Sequence, residues 1–182
     1  MPTETEVKLR APEGAAEAKA RIEALGVPVQ TPRQLESDTL YDTPSASLRQ
    51  ADQILRVRMR GSRCTLTYKG PAERGTYKIR EELETDIEDA SAFVMILTSL
   101  GYGPVFRYEK YRTTYSDGSG LITLDETPIG TFLELEGEGD WIDRVAAQLG
   151  HSSAEYVTSS YARLYRDYCQ THPEVDPAAM VF

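Results

Sequence analysis

From the first residues on, charged and apolar side chains alternate. Glu4, Glu6, Lys8 and Arg10 share one parity, Val7 and Leu9 the other, which is the period of a strand with one apolar face. Leu55, Val57 and Met59 alternate with Arg56, Arg58 and Arg60, and Cys64, Leu66 and Tyr68 with Thr65, Thr67 and Lys69. Tyr77 and Ile79 alternate with Lys78 and Arg80. Val105 to Tyr115 and Leu121 to Asp125 predict two more strands, joined by Ser116-Asp117-Gly118-Ser119-Gly120, a hairpin signal. Gly61-Ser62 predicts a second hairpin turn, and Gly70-Pro71 closes a strand before a loop reaching Gly75.

Three segments share one plan, a charged strand followed by a helix that ends in Leu-Gly. The first strand leads into a helix from about Glu13 to Leu25-Gly26. Glu82-Leu83-Glu84 precedes an N-cap at Asp89, then Phe93, Val94, Ile96, Leu97 and Leu100 before Gly101. Glu134-Leu135-Glu136 precedes a cap at Asp140, then Trp141, Ile142, Val145 and Leu149 before Gly150. Apolar spacings of three and four, Asp at the start and Gly past the end are helix signals. The sum is roughly eight strands and three or four helices in one α+β, mainly β, domain over residues 1–169. Residues 170–182, with Pro173 and Pro177, read as a tail packed on the surface or loose.

The charged rows raise the question of which way they face. Most antiparallel sheets turn polar faces to water. Three separate Glu-x-Glu pairs, however, repel themselves and suit a solvent face poorly. The helices also need an apolar partner, and the Leu, Val and Ile faces supply it. If such a sheet closes into a barrel, its charges point inward. An interior of that kind is costly unless ligands satisfy it. Paired Glu oxygens suit Mg²⁺ or Mn²⁺, and Lys and Arg rows suit phosphate. Together they predict a metal–phosphate site.

Composition narrows the chemistry. The net charge of −9 argues against nucleic-acid binding, which accumulates positive charge. No long apolar run predicts a membrane span, and the charged start MPTETEVKLR does not read as a secretory signal. Cys64 and Cys169 lack any CxxC and read as reduced thiols, as in a cytoplasmic protein. His151 and His172, the two histidines, read as surface residues, so zinc or Ser-His chemistry has no basis here. No P-loop, Rossmann or kinase motif competes for the phosphate role.

Read in order, the motifs resemble those of the CYTH group, the triphosphate tunnel metalloenzymes, in the class IV adenylate cyclase-like branch. Glu4-Thr5-Glu6-Val7-Lys8 matches the ExExK strand. Leu40-Tyr41-Asp42-Thr43, Leu55-Arg56-Val57-Arg58, Leu66-Thr67-Tyr68-Lys69-Gly70-Pro71 and Lys78-Ile79-Arg80-Glu81-Glu82 follow. Then come Glu109-Lys110-Tyr111-Arg112, Leu124-Asp125, Gly130-Thr131-Phe132-Leu133-Glu134-Leu135-Glu136 and Ser160-Tyr161. ExExK alone is weak; the ordered set spans nearly the whole chain.

The resemblance implies an eight-stranded closed antiparallel β-barrel, the triphosphate tunnel, with helices packed outside. It implies metal ligands among Glu4, Glu6, Asp125, Glu134 and Glu136, with Asp125 also a candidate for holding basic groups. It implies a triphosphate grip by Lys8, Arg56, Arg58, Lys69, Lys78, Arg80, Lys110 and Arg112, with Lys8, Arg56, Arg58, Lys110 and Arg112 as catalytic residues. Glu82 and Glu84 would support the metal from one step away. Arg60 and Arg107 read instead as salt-bridge or surface groups, Arg10 and Glu138 as lying beyond the tunnel mouth, and Tyr68, Tyr108 and Tyr111 as packing. Where some triphosphatases carry a basic residue near the carboxyl end, this chain has Ser160-Tyr161, which tilts the match toward the cyclase-like branch. That branch forms dimers, so a homodimer is implied as well. Three activities stay open: an Mg²⁺- or Mn²⁺-dependent cyclase converting ATP to cyclic AMP and pyrophosphate, a triphosphatase acting on tripolyphosphate, thiamine triphosphate or a nucleotide, and a non-catalytic polyphosphate- or nucleotide-binding module.

Overall fold

The structure, a computed structural model, describes residues 3–182 apart from the side chain of Arg74. The chain runs β1 (Thr3–Arg10), α1 (Ala15–Ala24), β2 (Val29–Asp42), α2 (Ser47–Gln50), β3 (Ile54–Arg60), β4 (Arg63–Lys69) and β5 (Glu73–Arg74). It continues with β6 (Lys78–Ile87), α3 (Ala90–Ser99), β7 (Gly103–Ser116), β8 (Gly120–Thr127), β9 (Gly130–Gly137) and α4 (Gly139–Gln148). A 3₁₀ turn (Ser153–Glu155), α5 (Tyr161–Cys169) and β10 (Ala179–Met180) complete it. Eight strands close into an antiparallel barrel in the order β1-β9-β8-β7-β2-β3-β4-β6, with β6 pairing back onto β1. The closed, helix-covered barrel expected from the charged rows is present.

Its membership differs in one place. Lys78–Arg80 and Glu82–Glu84 belong to the single strand β6, with Tyr77 just before it, and the eighth position is taken by β2, which the alternation did not predict. Pro32 and the polar run Gln34-Leu35-Glu36-Ser37-Asp38 disguise it. The pairing of β2 with β7 shifts register between Thr31 and Gln34, around Pro32, as expected where a strand must lack one donor.

Barrel stagger leaves two seams, and the carboxyl-terminal segment covers both. The strand β6 pairs with β1 only along Thr3–Glu6. Beyond it, Lys8 exchanges both of its backbone bonds with Val157, each 2.9 Å. Likewise β8 ends opposite Tyr111 of β7, and β10 pairs in parallel with Arg107 and Tyr108, burying Met180 completely. The exchange satisfies strand edges that would otherwise present unpaired donors and acceptors.

The outer faces carry most of the apolar core, and the cluster under α5, which includes Tyr108, closes one end of the cavity. Helices α1 and α4 cover Val7, Leu9, Ile122, Leu124, Leu133 and Leu135 through Ile22, Trp141, Ile142 and Val145. Leu97 of α3 packs with Val57 and Cys64, and Tyr161, Leu164 and Tyr165 of α5 with Tyr108, Phe132 and Met180. Gly120 is required by this packing: a Cβ there would lie 2.7 Å from Trp141 and 2.8 Å from the Glu136 carbonyl. Asp89 caps α3 as expected, accepting from the Ala92 N–H at 2.9 Å. Asp140 does not cap α4; the cap residue is Glu138, and Asp140 sits in the first turn, where its charge favours the helix dipole. Of the histidines, His151 is more enclosed than a surface reading implies, its side chain 9% exposed beside Glu155. His172 stacks on Tyr168 at 3.8 Å. Both lie outside the barrel lumen.

Candidate functional site

Inside the barrel lies a cavity of about 490 Å³. Its lining brings together Lys8, Lys69, Lys78, Lys110, Arg56, Arg58, Arg60, Arg80 and Arg112 with Glu4, Glu6, Glu82, Glu84, Glu134 and Glu136. The period of two on β1, β3, β6, β7 and β9 thus delivers its charges inward. At one end Lys8, Lys78, Tyr108 and Tyr161 are all at most 7% exposed, and Ser160, Tyr161 and Ala162 of the α5 start form part of the wall. At the other, Gln30 and Glu84 are exposed and Arg60 is half-buried. The cavity is a cup whose mouth is ringed by Gln30, Thr31, Arg60, Glu84, Thr114 and Leu121.

Ion pairs and hydrogen bonds hold every cation. Lys69 lies 2.6 Å from Glu4 and 2.8 Å from Glu82. Lys8 bridges Glu6 at 3.3 Å and Glu134 at 3.2 Å, while Lys78 holds Glu6 from the far side. Arg112 grips Asp125 and Glu134, and Lys110 reaches Asp125 at 2.9 Å. Arg56 donates to the Thr67 hydroxyl at 2.9 Å and faces Glu82 and Glu84 at 3.8 and 3.7 Å. Glu82 and Glu84, expected to support a metal, therefore serve Arg56 and Lys69. Arg80 is drawn to the wall, where its guanidinium donates to the carbonyls of Gly70 and Asp52. Asp125 lies within β8 rather than at its end, and its oxygens accept from Lys110, Arg112 and Tyr161. It anchors basic groups. Arg60 pairs with Glu36 at 2.7 Å and Arg107 with Glu109 on the outside; Arg10 is exposed over Phe132.

Three residues that were not among the expected ligands complete the network. Glu36 and Asp38 of β2 are fully buried behind the cations. Asp38 takes a bidentate bond from Arg58 at 2.7 and 3.1 Å, the strongest pairing geometry open to a carboxylate. Glu36 lies 3.2 Å from Arg58 and within 4 Å of Lys110 and Arg112. The third is Tyr161, whose hydroxyl donates to Asp125 at 2.7 Å while Lys8 and Lys110 sit 5.4 and 5.0 Å from its ring centre, a cation–π arrangement. Parity within β2 would have shown Glu36 and Asp38 once the strand was recognised. Tyr161, Leu164, Tyr165 and Tyr168 carry the i, i+3, i+4, i+7 spacing of a helix face.

Burial and neighbours divide the carboxylates. Burial would raise Glu6, but Lys8 and Lys78 outweigh it and hold the group below the usual carboxylate range. Burial is likewise outweighed at Glu134 by Arg112 and Lys8, and at Glu36 by Arg112 and Lys110. At Glu4 burial wins, with the Glu6 charge adding to it, and its pKa is pushed up to about 8. Burial raises Glu136 as well.

A metal is tested by these donors. Among the described residues no three carboxylates converge closely enough to hold an ion as they stand, because lysines occupy several of them. The donor chemistry nonetheless fits a hard divalent cation. Glu6 and Glu136 are cross-strand partners, Glu4 lies one step along the same face, and the Glu136 side chain makes no hydrogen bond or ion pair among the described residues. Burial penalises the charge on Glu4 and Glu136, a penalty that a divalent ion would offset. Counting Glu36, Asp38 and Asp125, the cavity's carboxylates match its cations in number. An added polyanion would leave it strongly negative unless cations came with it.

A closed barrel whose strands turn acidic and basic rows into a cup defines an ion-lined tunnel protein. The chain belongs to the CYTH domain family, which it matches over residues 2–161. It is 30% identical over 170 residues to the adenylate cyclase CyaB of Aeromonas hydrophila, a match covering 86% of each chain. A Methanocaldococcus jannaschii protein described as a candidate adenylate cyclase is 31% identical over 105 residues, 57% of this chain and 60% of that one. Among solved structures, the PH1819 protein of Pyrococcus horikoshii superposes with a TM-score of 0.76 at 27% identity, covering 91% of this chain and 99% of that one. A Vibrio parahaemolyticus candidate adenylate cyclase gives 0.78 at 24% identity, over 88% and 96%. Among the described residues no helix is long and apolar enough to cross a membrane.

Proposed function

We propose that this protein is a divalent-metal-dependent enzyme that processes a triphosphate inside the barrel, most similar in activity to the adenylate cyclase CyaB, converting ATP to cyclic AMP and pyrophosphate. The observation that carries this reading is the cavity itself, where cations for phosphate and carboxylates for a metal share one enclosed space. Mg²⁺ or Mn²⁺ would be held by Glu4, Glu6 and Glu136, with Glu134 beside them. When bound, such an ion screens phosphate charge and lowers the pKa of a coordinated water or hydroxyl. The remaining work falls to the chain. Arg56, Arg58, Lys110 and Arg112, oriented by Asp38, Glu36 and Asp125, would bind the phosphate oxygens and offset charge developing in the transition state. Lys8, Lys69 and Lys78 would leave their carboxylates for the phosphate as the acidic side takes up the metal. Arg80 would hold the loop ends around them.

A second reading, triphosphate hydrolysis, is favoured by one observation. The aromatic rings in the cavity wall, Tyr108 and Tyr161, lie at the closed end, so among the described lining residues no ring at the mouth offers a platform for adenine. Product analysis decides. The pure protein is incubated with ATP and separately with tripolyphosphate, in Mg²⁺ and then Mn²⁺. Cyclic AMP with pyrophosphate is the expected result. Orthophosphate without cyclic AMP establishes the hydrolase, and binding of both ligands without product would reduce the protein to a binding module. The homodimer implied by the resemblance would gain most by covering Met95 and Ile96 of α3 and Leu100 just after it, which are 64, 55 and 67% exposed. Light scattering reads it directly. The unpaired Cys64 and Cys169 suit a reducing cytoplasm.

A further inference from the structure

The cup has two unlike walls. On the β3–β4–β6 side the threonines already have partners: Thr67 accepts from Arg56 and donates to Glu84, and Thr65 donates to Asp86. On the opposite wall a row of threonines crosses three strands. Thr31 of β2 is the register partner of Thr114 of β7, which is the partner of Thr123 of β8. The row continues into Glu134 and Lys8, running from the mouth to the charged floor. None of Gln30, Thr31, Thr114 and Thr123 makes a side-chain hydrogen bond among the described residues. Thr123 is only 6% exposed, lines the cavity, and has its hydroxyl buried without a partner. A buried hydroxyl left so costs free energy unless a ligand or water satisfies it.

We infer that the Thr31–Thr114–Thr123 row is a subsite for an uncharged, hydroxyl-bearing group attached to the triphosphate, of the kind a ribose presents. The inference rests on the proposed triphosphate reading and extends it to the organic end of the substrate. Charge places the two parts. Phosphate belongs with the arginines and lysines of the floor and far wall, whereas the threonines of the row carry no charge to offset a phosphate. Polarity follows from the closure at Tyr161: a substrate enters phosphate first, and what trails behind it meets Thr123, Thr114 and Thr31 in turn. Hydroxyls both donate and accept, so the row can read a sugar edge. With no ring at the mouth, recognition falls on the sugar, and the base contributes little.

The test compares ATP with tripolyphosphate, which carries no organic group. Affinity is measured by calorimetry and turnover in parallel, both with Mg²⁺, for wild type, Thr123→Val, Thr114→Val/Thr123→Val and Thr123→Ser. Valine keeps shape and strand preference while removing the hydroxyl. The double variant should lose roughly tenfold in ATP affinity and hold tripolyphosphate as wild type does; Thr123→Ser should restore most of the single loss. Equal losses for both ligands would overturn the inference, since the row would then touch phosphate or serve the fold. Unchanged ATP affinity in the double variant would overturn it too, as would a wild type that binds tripolyphosphate but not ATP. A wild type that binds ATP without converting it sinks the enzymatic reading alone, because the affinity ratio still reports on the row.

Discussion

The same eight strands present two surfaces that differ in almost every physical respect. Their outer side chains, Val7, Leu9, Ile122, Leu124, Leu133 and Leu135, are at most 3% exposed and meet helices. Their inner ones, Lys8, Arg58, Lys78, Arg80 and Lys110, are equally buried but charged. Burying apolar surface stabilises a fold by about 25 cal/mol per Å². Burying ion pairs is close to neutral at best, since desolvation consumes the Coulomb gain. The outer face therefore accounts for the fold, and the inner face exists at its expense. An interior that apolar residues would fill more stably is kept charged, as the proposed triphosphate site requires.

The sharpest way to break this contrast is Lys8→Ala. Lys8 stands between Glu6 and Glu134, and losing one well-placed electrostatic contact costs on the order of a hundred- to a thousandfold in turnover. Turnover of whichever triphosphate the wild type processes should fall by that amount. The melting temperature should drop as well, because two buried carboxylates lose a partner. Activity close to wild type would end the tunnel reading.

On the outer face, Trp141→Ala should do the opposite. Trp141 is 3% exposed, packs over Gly120 and Gly137, and donates to Asp117 at 3.0 Å. Its loss should cost roughly 3–5 kcal/mol in denaturant unfolding, with tripolyphosphate affinity of the folded protein unchanged. If affinity falls in step with stability, the two faces are not separable.

How much of this was legible in the sequence follows the same division. Where a strand has an apolar outer face, alternation shows it, and β1, β3, β4, β7, β8 and β9 were readable for that reason. The strand β2 was not, because its outward Leu35 and Ser37 pack against little and Leu35 is 39% exposed. With it went Glu36 and Asp38, the anions that orient Arg58 and Lys110. The charged rows were visible as rows, but their pairings depend on register and stagger that parity alone does not fix. Hence Arg80, grouped with the phosphate ligands, bonds to the Gly70 and Asp52 carbonyls, and Glu82 and Glu84 stand beside Arg56. Asp140 misled for a simpler reason: an Asp near a helix start favours the dipole from the first turn as readily as from the cap.

The mildest test asks whether the inner face resists folding in the way its burial implies. Glu4 in the folded protein holds its proton to about pH 8, against 4.5 for an ordinary carboxylate. Between these values the folded state binds more protons than the unfolded one, so stability falls as pH rises. The contribution is complete below pH 4.5 and gone once pH passes the folded value. Glu6, Glu36, Asp38 and Glu134 are shifted downward and act in the opposite sense, only as pH falls into the acid range. The melting temperature of the ligand-free protein should therefore decline from pH 5 to pH 8, and Glu4→Gln, fixed in the uncharged state, should decline less. Glu136, raised by burial, keeps some of the slope in the variant. A divalent ion reverses the demand, since it needs the carboxylate ionised. In Mg²⁺ with tripolyphosphate, the wild type's gain in melting temperature should grow with pH across that window while the variant's stays flat. Equal gains in the two proteins would show that Glu4 does not serve the ion, leaving Glu6 and Glu136 to carry that role.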